Sequence, residues 1–245
     1  MGFQAARRDG LEVAGRHIVA MGGGGFSMDD PLLDRFVLDL VDAPSPKVCF
    51  IPTASGDSPG YIDKFTTAFT AYGAQPSVLS LFYREVDNLV EFLGGQDVIY
   101  VGGGNTVNML KIWDIHGVDS ALRMAWASGV VLAGLSAGAN CWFEWFTTDS
   151  FRVGRADPAE GLGFLPGSFS PHHSSEPARR PAFAKLIAEG RIPDGYACDD
   201  YAAIHFAGEA HQAVTSRPEA AAYRVSHAEG DSFDEVRLTP SYLGR

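Results

Sequence analysis

The chain has 245 residues, of which 46% are hydrophobic and 20% charged, and its formal net charge is −11. These values are typical of a globular protein with a substantial core, and the negative charge argues against nucleic acid or an anionic membrane as the main partner. The first residues, MGFQAARRDGLEVAG, lack the apolar core of a signal peptide. Since no uninterrupted apolar run has the length of a membrane span, we expect a cytoplasmic protein.

Three cysteines, Cys49, Cys141 and Cys198, lie far apart in the chain and lack the paired spacing of a zinc or redox motif. Their odd number and wide separation favour free thiols in a reducing compartment.

Short apolar runs that end in glycine or turn residues alternate with helix-like stretches in the first 140 residues. The predicted strands are His17–Met21, Val48–Ile51, Val98–Val101 and Val130–Leu135. The predicted helices are Pro31–Val41, Tyr61–Tyr72, Val107–Lys111 and Ser120–Ser128. This alternation predicts an α/β fold with a mostly parallel sheet and helices on both faces. Ligands of such sheets bind beyond the carboxyl ends of the strands, where the glycine clusters of this chain fall.

The sequence changes character after Asn140. The turn-rich stretch FSPHHSSEPARRP precedes a predicted helix at 182–189. Segments 203–206, 213–216 and 221–225 predict short antiparallel strands that close the sheet. Without a repeat or a linker, we expect one domain over residues 1–245, with an extended polar surface segment after about Glu229.

The stretch Gly134-Leu-Ser-Ala-Gly138 follows a predicted strand and precedes a helix. In a strand–Gly-x-Ser-x-Gly–helix turn the serine hydroxyl is exposed beside the positive end of the helix. Ser136 is then a nucleophile, and the N–H of Ala137 points to where an oxyanion forms. Small residues also occur at such turns for packing alone, so the motif by itself leaves both interpretations open.

A serine nucleophile needs a base, and the chain has seven histidines. His172 and His173 stand out because they lie in an irregular loop after Pro171, the kind of segment in which catalytic groups concentrate. Together with Glu176 they also suggest a metal site. No second ligand cluster or His-x-x-x-His spacing supports that interpretation, so we expect neither a metal nor a cofactor.

The base needs an acid to orient it. The candidates are Asp199 and Asp200, between two apolar runs, together with Glu176 and Asp149. The alternative for the paired aspartates is a tight turn between strands.

Two glycine clusters remain. Gly22–Gly25 lacks the Gly-x-Gly-x-x-Gly spacing, and Gly102–Gly104 is not followed by the Lys-Ser/Thr of a Walker loop. Nucleotide binding is therefore poorly supported, whereas a glycine turn also lets backbone N–H groups approach an oxyanion.

Three ordered motifs together resemble the S51 serine peptidases, the family that contains peptidase E (α-aspartyl dipeptidase) and is related to cyanophycinase. They are Tyr100-Val-Gly-Gly-Gly-Asn-Thr-Val-Asn-Met-Leu, Gly134-Leu-Ser-Ala-Gly-Ala-Asn and Pro171-His172. The resemblance extends from Ile18 to about Val225. It implies a three-layer α/β sandwich like class I glutamine amidotransferase domains.

The resemblance also implies roles for individual residues. Ser136 would be the nucleophile, His172 the general base and Asp200 the third member, or Asp199 if the register is shifted by one. Gly103 and the Ala137 amide would form the oxyanion hole.

The resemblance further implies that Gly104 and Asn105 contact the substrate. Arg179 and Arg180 would hold the side chain of an N-terminal aspartate, unless they are solvated charges at a helix start. The stretches CWFEWF and FLPGSFSPH resemble a branch of the family distinct from the aspartyl dipeptidase.

The predicted function is that of a serine exopeptidase, a dipeptidase or aminopeptidase that cleaves short peptides at their N-terminal residue, and the family implies a homodimer. The alternatives are a non-catalytic module on the same fold that binds a small anion or nucleotide, and an amidase of other aspartyl amides.

Overall fold

The structure is a computed structural model that describes residues 15–244. The prediction that the chain lacks a signal peptide concerns residues 1–14, which lie outside this range.

The regular structure of residues 15–244 consists of fourteen strands, seven α-helices and two short 3-10 helices at Gly25–Met28 and Thr53–Ser55. The strands are β1 His17–Met21, β2 Lys47–Ile51, β3 Gln75–Val78, β4 Val98–Val101, β5 Val131–Leu135, β6 Phe143–Thr148, β7 Asp157–Glu160, β8 Leu165–Ser170, β9 Gly195–Cys198, β10 Ala202–Ala207, β11 Ala210–Thr215, β12 Ala222–Ala228, β13 Ser232–Arg237 and β14 Ser241–Tyr242. The helices are α1 Pro31–Leu38, α2 Pro59–Ala71, α3 Leu89–Gly94, α4 Thr106–His116, α5 Val118–Ala127, α6 Ala137–Asn140 and α7 Arg179–Ala188.

The four predicted strands form the centre of an eight-stranded sheet in the order β14–β11–β10–β1–β5–β4–β2–β3. Strands β1, β5, β4, β2 and β3 are parallel to one another, as the alternation of strands and helices predicts. Strand β10 pairs with β1, and β11 pairs with β10, both in antiparallel fashion, which confirms the antiparallel strands predicted for 203–206 and 213–216. β3 and α3 were not predicted.

Both faces of this sheet are buried because residues of each central strand alternate between two apolar clusters. On one face, Val19, Phe50 and Tyr100 share a cluster with residues of α1 and α2. On the other face, Ile18, Ile51 and Val101 share a cluster with residues of α3, α4 and α5. The fold is therefore mixed α/β, with helices on both faces of the large sheet.

A second sheet of six strands, in the order β13–β12–β9–β8–β6–β7, was not predicted. The prediction that 221–225 closes the main sheet is wrong, because β12 pairs with β9 and β13 instead. Phe143 and Phe169 of this sheet stack on each other with ring centroids 4.9 Å apart. Both rings belong to the same apolar cluster as residues of α3, α4 and α5, which pack on the large sheet. The two sheets therefore share one core.

The polar segment after Glu229 is extended and hydrogen-bonded to both sheets. β13 pairs with β12, and β14 pairs with β11. Glu235 of β13 points inward, with a side chain only 11% exposed.

The three cysteines are free and buried. No helix within residues 15–244 is both long and apolar enough to cross a membrane.

Candidate active site

Ser136 forms the sharp turn between β5 and α6. Its φ of 53° and ψ of −109° are rare for a residue with a side chain, and its N–H donates to the Met21 carbonyl oxygen at 3.0 Å. A Cβ on Gly134 would lie 2.2 Å from the Gly138 oxygen, and a Cβ on Gly138 would lie 2.2 Å from the Val101 oxygen. The two glycines beside the serine are thus required by close backbone packing.

The end of β1 connects Ser136 with the aspartate pair. Met21 lies opposite Leu135 of β5 on one side and opposite Ala203 of β10 on the other. The next residue, Gly22, donates its N–H to the Ala202 oxygen at 3.0 Å. The turn after β1 therefore lies between Ser136, which follows Leu135, and Asp200, which precedes Ala202.

His172 and Asp200 are hydrogen-bonded to each other beside this turn. His172 Nδ1 and Asp200 Oδ1 are 2.6 Å apart, and their side chains are 21% and 18% exposed. A Cβ on Gly23 would lie 2.1 Å from Asp200 Oδ1 and 2.9 Å from His172 Cε1, so a side chain at this position would displace the hydrogen-bonded pair. His172 has a left-handed φ of 51°.

The charge state of Asp200 follows from its partners. Burial alone would raise its pKa, but hydrogen bonds from His172 and Ser175 outweigh burial and hold the pKa below the ordinary value. Asp200 is therefore an anion at neutral pH. Since a carboxylate only accepts, Nδ1 of His172 carries the proton, and Nε2 is left as the basic nitrogen.

Asp199 has a different environment. Its Oδ2 accepts a 3.4 Å hydrogen bond from the Tyr223 hydroxyl, and its buried Oδ1 has no partner within the described part of the chain. The structure thus brings Asp200, not Asp199, to His172. Within residues 15–244, Ser136 Oγ and the His172 ring do not form a hydrogen bond with each other.

The glycine turn after β4 lies beside Ser136. A Cβ on Gly103 would be 3.6 Å from Ser136 Cβ, and the Gly103 N–H donates to the Tyr61 hydroxyl at 3.3 Å. The Ala137 N–H is the first of α6 and has no acceptor within that helix. Gly104 has a φ of 137°, and a Cβ there would lie 2.1 Å from the Ala54 oxygen. Two backbone amides therefore flank the serine.

Asn105 has a structural role that the sequence did not reveal. Its Oδ1 accepts the Asn108 N–H at 2.9 Å and so caps α4. Its Nδ2 donates to the Ser150 oxygen at 3.1 Å. These two bonds fix the orientation of the amide but use only one of its two N–H groups and one lone pair of its oxygen, so the contact of Asn105 with a substrate stays a prediction.

Arg179 is buried, with 4% exposure. Its guanidinium donates to Glu176 Oε2 at 2.6 Å, to the Thr147 oxygen at 2.8 Å and to Asp149 Oδ1 at 3.3 Å. The interpretation as a solvated helix-start charge is therefore wrong for Arg179. The guanidinium is also already bonded to two carboxylates, Glu176 and Asp149, so it is not free to bind a substrate carboxylate as predicted. These two were the other candidates for the orienting acid.

Arg180 is half exposed and pairs with Glu235 of β13. Its guanidinium lies 5.2 Å from the centre of the Tyr223 ring. Unlike Arg179, whose guanidinium bonds through all three nitrogens, Arg180 bonds only through Nη2, so its contact with a substrate stays a prediction.

Four residues that contact the site or the loop of His172 were not identified from the sequence: Gly23, Tyr61, Ser175 and Glu235. Gly23 carried a signal, because its run of four glycines fits no nucleotide motif and a run of glycines implies close approach of other groups. Ser175 lies in the same loop as His172, but nothing in its sequence context indicated a bond to Asp200. Tyr61 and Glu235 carried no signal, since each reaches the site from a distant part of the chain. Within the described range, no three His, Cys, Asp or Glu side chains are grouped to hold a metal ion.

Comparison with known proteins shows the family of the chain. The family model of peptidase family S51 matches residues 18–214. The chain is 50% identical over 232 residues to the Bacillus subtilis (strain 168) protein described as uncharacterized peptidase YgaJ, and this covers 94% of the chain and 100% of that protein. Peptidase E of Pasteurella multocida (strain Pm70) is 28% identical over 178 residues, which cover 69% and 75% of the two chains.

Two solved structures share the fold. A peptidase from an acI-B1 Actinobacterium has a TM-score of 0.71 at 19% identity and covers 93% of this chain and 95% of its own. A protein described as a putative peptidase E from Listeria monocytogenes EGD-e has a TM-score of 0.63 at 22% identity, with 82% and 99% covered. The match over residues 18–214 and the 50% identity to a complete relative show that the chain belongs to peptidase family S51.

Proposed function

We propose that the chain is a serine peptidase that hydrolyses short peptides at their N-terminal residue, as a dipeptidase or aminopeptidase. One observation carries the proposal. Ser136, on a strained strand–helix turn, and the hydrogen-bonded His172–Asp200 pair lie on the two sides of the turn that follows β1. These are the three groups that acyl transfer through a serine requires.

In the proposed mechanism, Ser136 Oγ attacks the scissile carbonyl carbon while His172 Nε2 takes the hydroxyl proton. The protonated imidazole then gives this proton to the leaving amine as the C–N bond breaks. Asp200 keeps the ring in the Nδ1–H tautomer and stabilises its positive charge. In the second half, the histidine deprotonates a water that attacks the acyl-enzyme, and the released Ser136 oxygen takes the proton back.

The oxyanion of each tetrahedral intermediate is placed between the amides of Gly103 and Ala137. Both are backbone groups held by close packing, so they are oriented before the reaction begins, which is the condition for strong electrostatic stabilisation. The Tyr61 hydroxyl that accepts the Gly103 N–H has to give way to the oxyanion.

Action at the N-terminal residue rests on the resemblance to the family. A preference for N-terminal aspartate requires a cation to bind its side chain, and Arg179 and Arg180 are bound to carboxylates of this chain. A preference for N-terminal aspartate is therefore tested directly, by including Asp-X dipeptides among the substrates. We further propose a cytoplasmic homodimer with a layered architecture of the class I glutamine amidotransferase type, as the resemblance implies.

The deciding experiment compares the wild-type protein with the Ser136→Ala variant against a library of dipeptides that includes Asp-X, β-aspartyl and amide substrates. We expect Ser136→Ala to lower kcat by about 10⁵-fold or more. The control variant Ser128→Ala, which removes an exposed hydroxyl at the end of α5, should retain wild-type activity. A fluorophosphonate should add its mass to the wild type and to the control, and not to Ser136→Ala.

The outcome separates the candidates. Hydrolysis that survives in Ser136→Ala would refute the covalent mechanism. Cleavage of amides without cleavage of dipeptides would favour the amidase. An absence of both hydrolysis and labelling in the wild type would favour a module that binds an anion or nucleotide.

A further inference from the structure

The loop that carries His172 is attached to the second sheet through the next residue, His173. The His173 side chain is completely buried, and its Nε2 lies 3.0 Å from Glu235 Oε2. Its backbone N–H donates to the Cys198 oxygen at the end of β9, at 3.1 Å. His173 is therefore fixed at both its backbone and its side chain.

The contact with Glu235 defines the state of the His173 ring. Nε2 donates to the carboxylate, while Nδ1 is buried and has no partner within residues 15–244. A protonated ring would bury a second N–H without an acceptor, which is unfavourable. Burial accordingly lowers the pKa of His173, although Glu235 opposes the shift. His173 is thus a neutral donor held in one orientation.

Glu235 is itself held in place. The side chain of Arg180, at the start of α7, binds Glu235 Oε1, the oxygen that His173 does not use. The Arg180 guanidinium in turn lies over the Tyr223 ring of β12. The carboxylate therefore joins α7, β13 and the loop after β8, and it comes from a part of the chain beyond the residues 18–214 that the family model matches.

His172 needs such support because its backbone is strained. A left-handed φ at a residue with a side chain persists only where its surroundings enforce it. On the C-terminal side of His172, its carbonyl accepts the Glu176 N–H at 3.0 Å and the next residue is His173. Rotation of the loop at His172 would break the bond from His173 to Glu235.

We propose that Glu235 is a positioning residue, which holds His173 and thereby keeps the His172 imidazole on Asp200 in the orientation needed for proton transfer. Its link to the reaction rests on the proposed function of His172. Its effect on the His172 ring does not, and the two are measured separately.

Two substitutions of Glu235 separate the effect of its side-chain length from the effect of its charge. Glu235→Gln keeps the length of the side chain and an oxygen that accepts from His173, but it loses the charge. Glu235→Asp keeps the charge and withdraws the carboxylate by one methylene. Asp234→Asn, at the exposed neighbouring position of β13, is the matched control for loss of a charge.

The first readout is the tautomer of His172, taken from its ring ¹⁵N shifts at about pH 8, where a free imidazole is neutral. Asp200 imposes the Nδ1–H form in the wild type, whereas free imidazoles of histidine prefer Nε2–H. We expect Glu235→Gln and Asp234→Asn to keep the Nδ1–H form. We expect Glu235→Asp to shift His172 toward Nε2–H.

The second readout is dipeptide hydrolysis. Glu235→Asp should lower kcat about 10- to 100-fold, the cost of a small displacement of a catalytic group, with KM changed less than about twofold. Glu235→Gln should stay within about threefold of the wild type, because reach is restored.

The two readouts fail independently. If the His172 tautomer is the same in Glu235→Asp as in the wild type, or if Glu235→Gln is the more damaging variant, the positioning role is refuted while the peptidase proposal stands. If the tautomer shifts as expected in a protein that cleaves no peptide, the positioning role holds and the proposed function is refuted. A wild type without the Nδ1–H form would overturn the inference directly.

Discussion

Ser136 and His172 lie in two regions of the molecule that are built differently. Around Ser136, backbone packs on backbone: a Cβ on Gly134, Gly138 or Gly104 would come within 2.2 Å of a carbonyl oxygen. Around His172, side chains hold side chains, through Asp200 and through the His173–Glu235 bond. Ser136 is positioned by steric exclusion, and His172 by charge and hydrogen bonding.

This difference predicts two kinds of failure. A substitution near the serine has to disturb the fold before it disturbs the chemistry, because the backbone cannot move alone. A substitution near the histidine can remove one charge or one hydrogen bond and leave the fold intact. The following experiments test that contrast, in order of decreasing effect.

The largest effect is expected from Asp200→Asn in the region of the base. The amide is nearly isosteric but no longer enforces the Nδ1–H tautomer, so kcat should fall by about 10⁴-fold at neutral pH while the protein stays folded. Steady-state kinetics together with a thermal melt would check this. Asp199→Asn is the matched control, because Asp199 contacts Tyr223 instead, and it should cost less than about tenfold. If the Asp199 variant is the more damaged one, Asp200 is not the orienting acid.

Asp200→Asn also changes the pH dependence of stability. The folded pKa of Asp200 is below its ordinary value, because the bonds from His172 and Ser175 outweigh burial. Its contribution to stability is therefore complete above the unfolded pKa of about 4 and is lost as the pH falls through the folded pKa. Urea titrations from pH 5 to pH 2 should show a shallower acid loss in the Asn variant.

Much of the region around Ser136 could be predicted from the sequence. Its strands are β-branched apolar runs buried on both faces, and the glycines beside the serine mark close packing in a short local motif. The region around His172 could not be predicted to the same extent. β7 and β13 read DPAE and SFDEVR, which are polar and partly exposed, and β8 contains proline and glycine. Such segments carry no periodicity that separates a strand from a loop.

The same limit applies to individual residues of the site. Ser136 and His172 lie in recognisable local contexts, so they could be proposed as candidates. The choice between Asp199 and Asp200 could not be made, because a shift of one residue sends a side chain to the other side of the chain. Gly23 and His172 are separated by 149 positions in the sequence, and His173 and Glu235 by 62 positions, yet each pair is in contact. Contacts of that kind depend on the whole topology.

In the region of the nucleophile, Gly138→Ala should destabilise the fold. The added methyl would lie 2.2 Å from the Val101 oxygen and 2.8 Å from its Cβ, so β4 and α6 must separate, at a cost of about 3 kcal/mol in the free energy of unfolding. The control is Gly60→Ala in α2, where a Cβ meets nothing within 4 Å. There the change should stabilise by about 0.5 kcal/mol or more. Equal urea midpoints for the two variants would contradict the steric account.

The smallest effect is expected at Tyr61, a residue of α2. Its hydroxyl accepts the Gly103 N–H at 3.3 Å beside Ser136, so here a side chain contacts the closely packed backbone. If Gly103 serves the oxyanion, the hydroxyl competes for its N–H. Tyr61→Phe should then raise kcat/KM, by at most about tenfold, the value of one hydrogen bond. If the hydroxyl instead donates to the oxyanion, the same variant should lose about 10²-fold or more. Tyr72→Phe, at the end of the same helix, controls for loss of a hydroxyl. A decrease in kcat/KM that is confined to the Tyr61 variant would show that a side chain belongs to the oxyanion hole. The region around Ser136 would then depend on side-chain hydrogen bonds, as the region around His172 does.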